Sequence, residues 1–115
     1  MVDYSKELVT TLNEVLPTYY ELEVTSKTNT PCITYYELNN AAFVEGNTFG
    51  YSRLRYQVKI WGKDIAALEQ YSLILDAKLR KKGFTRTACT ELFDNASTMI
   101  QKIFTYEALA VETFN

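Results

Sequence analysis

"LRYQVKIWGKDIAALEQY", residues 54–71, changes its hydrophobic period halfway along. Up to Trp61 the apolar residues alternate: Leu54, Tyr56, Val58 and Ile60 on one face, and Arg53, Arg55, Gln57, Lys59 and Trp61 on the other. Alternation of this kind marks a strand with one face toward a core. After Asp64 the period becomes helical, and Ile65, Leu68, Tyr71, Ser72, Leu75 and Leu79 fall on one side of a helix over 65–82. Gly62 breaks the strand and Asp64 is placed to cap the helix. Lys78, Arg80, Lys81 and Lys82 crowd its last turns, where they complement the negative end of the helix dipole, and Gly83 has the place of the residue that ends it. A basic "KLRKK" run also suits nucleic acid, but the dipole explains the same residues.

Working toward the N-terminus, "PCITYYEL" gives a second strand, 32–38. It sets Cys32, Thr34, Tyr36 and Leu38 opposite Ile33, Tyr35 and Glu37. Both faces are partly apolar, which suits a strand covered on both sides. "TYYELEVT", 18–25, alternates as a further strand, with Tyr20, Leu22 and Val24 on one face, and "SKTNTP" turns the chain. Before it, Tyr4, Leu8, Leu12 and Val15 form the apolar stripe of a helix over 3–16, capped by Asp3 or Ser5 and stopped by Pro17. Between the strands lies "NNAAFVEGNTFG", residues 39–50, which holds two of the four glycines and reads as a long loop. Long loops in compact domains are commonly functional. Phe43, Val44, Phe49 and the adjoining Tyr51 fold back on the domain or extend a hairpin in one reading, and dock on another chain in the other.

Toward the C-terminus, "FTRTACTELF" (84–93), a "DNAS" turn and "TMIQKIFTYEALAV" (98–111) read as a hairpin. Met99, Ile103 and Leu109 lie opposite Ile100, Phe104, Tyr106 and Ala108. That last strand is therefore central or meets another subunit. The order is α-β-β-β-α-β-β. It predicts an α+β fold, a mainly antiparallel sheet of about four to five strands with two helices on one face, in a single domain spanning 1–115.

The chain has 115 residues, 47% of them apolar, and a net charge of −2, so its bulk charge gives no reason to bind nucleic acid. Nine Tyr and six Phe suit a β-rich core or a contact surface. There is no histidine, which removes the commonest general base and a main zinc ligand. Cys32 and Cys89 lack CxxC spacing and read as reduced core residues. Neither has an activating base in view, "GNTFG" is not a phosphate loop, and Glu21 with Glu23 reads as a solvated pair. No metal or cofactor is expected. The amphipathic N-terminus is no signal sequence, and no run is long enough to span a membrane; a cytoplasmic origin follows. Arg53, Arg55, Lys59 and Trp61 would serve an anion or a single strand of nucleic acid, or pair with acidic side chains across the sheet. A structural or binding protein is expected, not an enzyme.

Four segments occur here in a familiar order: "P-x-I-T-Y" at Pro31–Tyr35, "Y-Q-V-x-I-W" at Tyr56–Trp61, "G-F-x-R" at Gly83–Arg86 and "T-Y-E-A" at Thr105–Ala108. Over about residues 31–110 the chain resembles the tail-completion or tail-terminator proteins, minor structural proteins of head–tail joining in long-tailed phages and prophages of Gram-positive bacteria. The resemblance implies a ring, usually a hexamer, at the head-proximal end of the tail tube. The ring ends tube polymerisation and meets the head connector. Implied partners are further copies of the chain, the tube protein and the connector proteins. DNA passes through without sequence-specific contact, and no membrane is involved. The implied location is the virion neck, after a stay in the host cytoplasm where the chain can be monomeric. The alternatives are a head-closure or head–tail adaptor protein of the same neck, or a small nucleic-acid-binding module.

Overall fold

Among the described residues seven elements follow one another in the expected order. They are α1 (Tyr4–Val15), β1 (Thr18–Tyr20), β2 (Cys32–Glu45), β3 (Phe49–Gly62), α2 (Ile65–Lys81), β4 (Thr85–Asp94) and β5 (Met99–Thr113). The computed structural model describes residues 4–45, 49–95 and 97–113, with side chains for all of these except 39–52 and 110–113. The strands form one sheet in the order β1-β2-β3-β5-β4. The β2–β3, β3–β5 and β4–β5 pairings are antiparallel, and β1 runs parallel to β2. The fold is α+β with a mixed sheet.

Both helices pack on one face of this sheet. Leu8 and Leu12 of α1 and Leu68, Leu75 and Leu79 of α2 are fully buried with Ile33, Tyr56, Val58, Ile60, Phe104 and Tyr106. Tyr56, Val58 and Ile60 belong to the face of β3 that alternation assigns to the core; on β2 and β5, where both faces are apolar, the helices settle on the face of Ile33, Phe104 and Tyr106. Burial of each large side chain contributes about 1.5–3 kcal/mol. Ile65 departs from the expected stripe: it stands in the first turn of α2, beyond the end of the core, and is exposed. Asp3 lies outside the described residues, and Ser5 is no cap. It sits inside α1, its hydroxyl 2.6 Å from that of Tyr56.

The two ends of α2 are fixed by local chemistry. Asp64 Oδ1 accepts hydrogen bonds from the amides of Ala66 (3.0 Å) and Ala67 (3.4 Å). At the other end Gly83 adopts φ +95°, the left-handed conformation that glycine tolerates best. Gly83 N–H donates to the Arg80 carbonyl and Phe84 N–H to that of Leu79, which satisfies two helix-end acceptors. Phe84 is thereby driven into the core, edge-on to the rings of Tyr4 and Tyr56. Gly62 ends β3 where α2 folds back: a Cβ there would stand 2.9 Å from Leu68 Cδ2.

Two expectations need correction. The strand over 18–25 stops at Tyr20, because Glu21 takes φ +50° and turns the chain off the sheet edge. Glu21 and Glu23 are exposed on the irregular segment that follows, not on a strand face. The stretch 39–50 is not an irregular loop where it is described but extends the hairpin, one of the two fates expected for it: β2 runs on to Glu45, β3 starts at Phe49, and Ala41–Arg53, Phe43–Tyr51 and Glu45–Phe49 are paired. Backbone hydrogen bonding across this stretch outweighs its weak strand propensity. A bulge after Glu37 leaves Leu38 as an extra, exposed residue.

Candidate functional site

The face of the sheet away from the helices carries Arg53, Arg55, Lys59 and Trp61. The register spreads them along β3, and they do not converge. Glu107 on β5 supplies an acidic partner across the sheet: its Oε1 lies 3.1 Å from Arg53 Nε and its Oε2 3.9 Å from Arg55 Nε. The second distance is ion-pair range but too long for a hydrogen bond. Lys59 Nζ sits 5.7 Å from the centroid of the Trp61 ring.

Trp61 is buried rather than displayed. The segment 21–31 crosses this end of the outer face, and Val24 packs there with Cys32, Trp61 and Met99 as a second small core. The indole Nε1–H donates to Thr34 Oγ1 at 2.8 Å. Cys32 is buried in this cluster, and burial raises its thiol pKa. Beside the cluster a cleft of about 260 Å³ is lined by Glu21, Leu22, Thr34, Tyr35, Tyr36, Lys59 and Trp61. Its lining carries one cation, Lys59, and one carboxylate, Glu21. Among the described residues no three His, Cys, Asp or Glu side chains are placed to share a metal ion. No helix among them is long and apolar enough to cross a membrane.

The basic end of α2 is also engaged. Lys78 pairs with Glu14, Lys82 with Glu7, and Arg80 with Asp76. Arg86 reaches Asp76 at 4.0 Å. Asp76 further accepts from the Tyr106 hydroxyl at 3.1 Å. Burial, and then the Asp76 charge, hold the Tyr106 hydroxyl pKa far above the usual tyrosine value.

Phe43 and Val44 lie near the end of β2, and Phe49 and Tyr51 near the start of β3. Their side chains fall outside the described set, but the backbone pairing places all four in the outer part of the β2–β3 hairpin. There β5 still accompanies β3, with Tyr51 opposite Val111 and Phe49 opposite Thr113. β4 does not, because its first residue, Thr85, pairs with Glu107. The described core ends at Leu54 and Ala108. Three strands therefore run on past the rest of the sheet as an arm, and the molecule measures 51 × 24 × 20 Å.

β4 is the surface that sequence reading missed. Cys89, expected in the core, is exposed, as is every residue from Thr85 to Phe93. Neither helix reaches far enough across the sheet to cover this strand. Adjacent Leu92 (49% exposed) and Phe93 (60%) put apolar groups on opposite faces, and that adjacency was the available signal. A further apolar pair, Leu73 (66%) and Ile74 (46%), projects from α2. β2 and β5, whose two apolar faces suggested a central strand or a subunit contact, are interior strands in the body of the sheet, as the first reading has it, and become edges only in the arm.

No protein-family model matches this chain, and a search of curated proteins finds no significant match.

Proposed function

We propose that this chain is a structural protein of a phage neck. In this reading it forms a ring, a homohexamer in the virion, at the head-proximal end of the tail tube. The ring ends tube polymerisation and joins the tail to the connector, while DNA passes through without being read. The sequence resemblance over 31–110 supplies the family, and the observation that carries the reading is the arm. A three-stranded extension of β2, β3 and β5 that leaves β4 behind, with Phe43, Val44, Phe49 and Tyr51 in its outer part, suits a protein whose work is to reach another chain.

A ring needs two unlike patches per subunit. With β2 and β5 covered on both sides in the body, those patches are the arm and the outward side of α2 at Leu73 and Ile74. The nucleic-acid alternative loses support, because Arg53, Arg55, Lys78, Arg80 and Lys82 all have carboxylate partners within the chain.

The test is electron microscopy of particles made with the gene disabled. Overlong tails, or tails detached from full heads, are expected. Normal tails on heads that leak DNA move the protein to head closure in the same neck. Wholly normal particles overturn the neck assignment.

A further inference from the structure

β4 is an edge of the sheet along its whole length of ten residues; at the other edge β1 covers only Ile33–Tyr35 of β2, and the rest of that edge belongs to the arm. Among the described residues no strand pairs with the outer side of β4. Proteins usually blunt such edges with Lys, Pro, bulges or a covering element. "TRTACTELFD" has no Lys and no Pro, and Thr85, Thr87 and Thr90 favour extended backbone. Its one irregularity is the bulge between Arg86 and Ala88.

The register on β5 shows what this edge complements. Arg86 pairs with Tyr106, Cys89 with Phe104 and Glu91 with Lys102. Counted by their β5 partners, Arg86 and Glu91 stand two positions to either side of Cys89, and all three share the helix-side face. The bulge brings this about, since it absorbs Thr87. Among the described residues the two charges have only distant partners: Arg86 Nη1 is 4.0 Å from Asp76, and Glu91 Oε1 is 4.0 Å from Lys102, whose closer partner is Glu69 at 2.6 Å.

We infer that β4 pairs antiparallel with β4 of a second copy, about a two-fold axis at Cys89. In this register Arg86 faces the partner's Glu91, Glu91 faces the partner's Arg86, and the two Cys89 thiols stand side by side. Ala88 faces the partner's Thr90, and Thr85 the partner's Leu92. An axis at Glu91 would set two carboxylates against each other, and axes at Ala88 or Thr90 leave both charges unmatched. The charges therefore select one register. The contact closes at two copies, because a two-fold pairing of β4 with β4 uses up that edge on both chains. The inference does not rest on the neck reading: it concerns the purified chain and uses neither the arm nor the outward side of α2.

Directly opposed residues on antiparallel strands have Cα atoms about 4.5–5.5 Å apart, within disulfide range. Brief treatment with copper phenanthroline should therefore join two chains through Cys89, the two thiols giving up two protons and two electrons to the copper oxidant. The expected results are a dimer in analytical ultracentrifugation at micromolar concentration and a cross-linked dimer on a non-reducing gel. Cys89→Ser should abolish the cross-link and leave the non-covalent dimer. Arg86→Glu and Glu91→Arg, singly, should each weaken the dimer by about tenfold or more, and the two combined should restore it. Circular dichroism melting checks that each variant is folded. A monomer with no cross-link overturns the inference. So does a cross-linked dimer whose yield ignores the charge swap, since that reports colliding thiols.

Discussion

The indole of Trp61, in the small core under Val24, donates to the hydroxyl of Thr34. Thr34→Val keeps the shape and leaves a buried N–H without an acceptor, which costs about 1–3 kcal/mol. Urea unfolding followed by the fluorescence of the single tryptophan measures this directly. In a Trp61→Phe background the same substitution should cost much less, because the orphaned donor is gone. Tyr106 makes a pH prediction. Its hydroxyl is pushed up from 10.0, first by burial and then by Asp76. For a group raised in the folded state, the stability is fully present below the unfolded value and is lost as pH rises beyond it toward the folded value. Stability should therefore fall between about pH 9 and 11 as the unfolded chain releases this proton. Tyr106→Phe should lower stability at neutral pH and flatten the alkaline decline, as read by unfolding midpoints across that range.

At the scale of elements, α2 is held at its ends by two residues whose roles are separable. Asp64→Ala removes the acceptor for two amides and should cost about 1 kcal/mol. Gly83→Ala meets only ordinary contacts, the nearest being the Tyr4 ring at 3.5 Å, but must adopt φ +95°. It too should cost about 1 kcal/mol. The sites are far apart and share no partner, so the double variant should show the sum in thermal or denaturant unfolding. A large excess over the sum would mean that the ends of α2 communicate through the sheet.

For the whole molecule, the arm is the feature that the body can lose. Deleting residues 42–49 leaves Gly50, Tyr51 and Ser52 as a three-residue connection between Ala41 and Arg53, which are already paired. The body keeps every residue of its described core. The shortened protein should unfold cooperatively near the parent midpoint and yet fail to restore normal tails to particles that lack the gene. Normal tails of normal length, joined to heads, would remove the arm from the assembly contact.

The sequence by itself determined the element order, the core side of each helix and of β3, and both ends of α2. Those features are written in local chemistry: alternation, helical spacing, a carboxylate before the first turn, a glycine after the last. Only the tertiary structure decided what lies over and beside each strand. "NNAAFVE", residues 39–45, has weak strand propensity and lies in β2 because β3 pairs with it. Trp61 alternates as an outward residue and is buried because 21–31 folds across it, a placement that depends on where β1 ends. Cys89 sits in a strand like any core residue and is exposed because β4 lies at the edge, beyond the reach of both helices. Strand order is set by long-range pairing, and no window of neighbouring residues carries it.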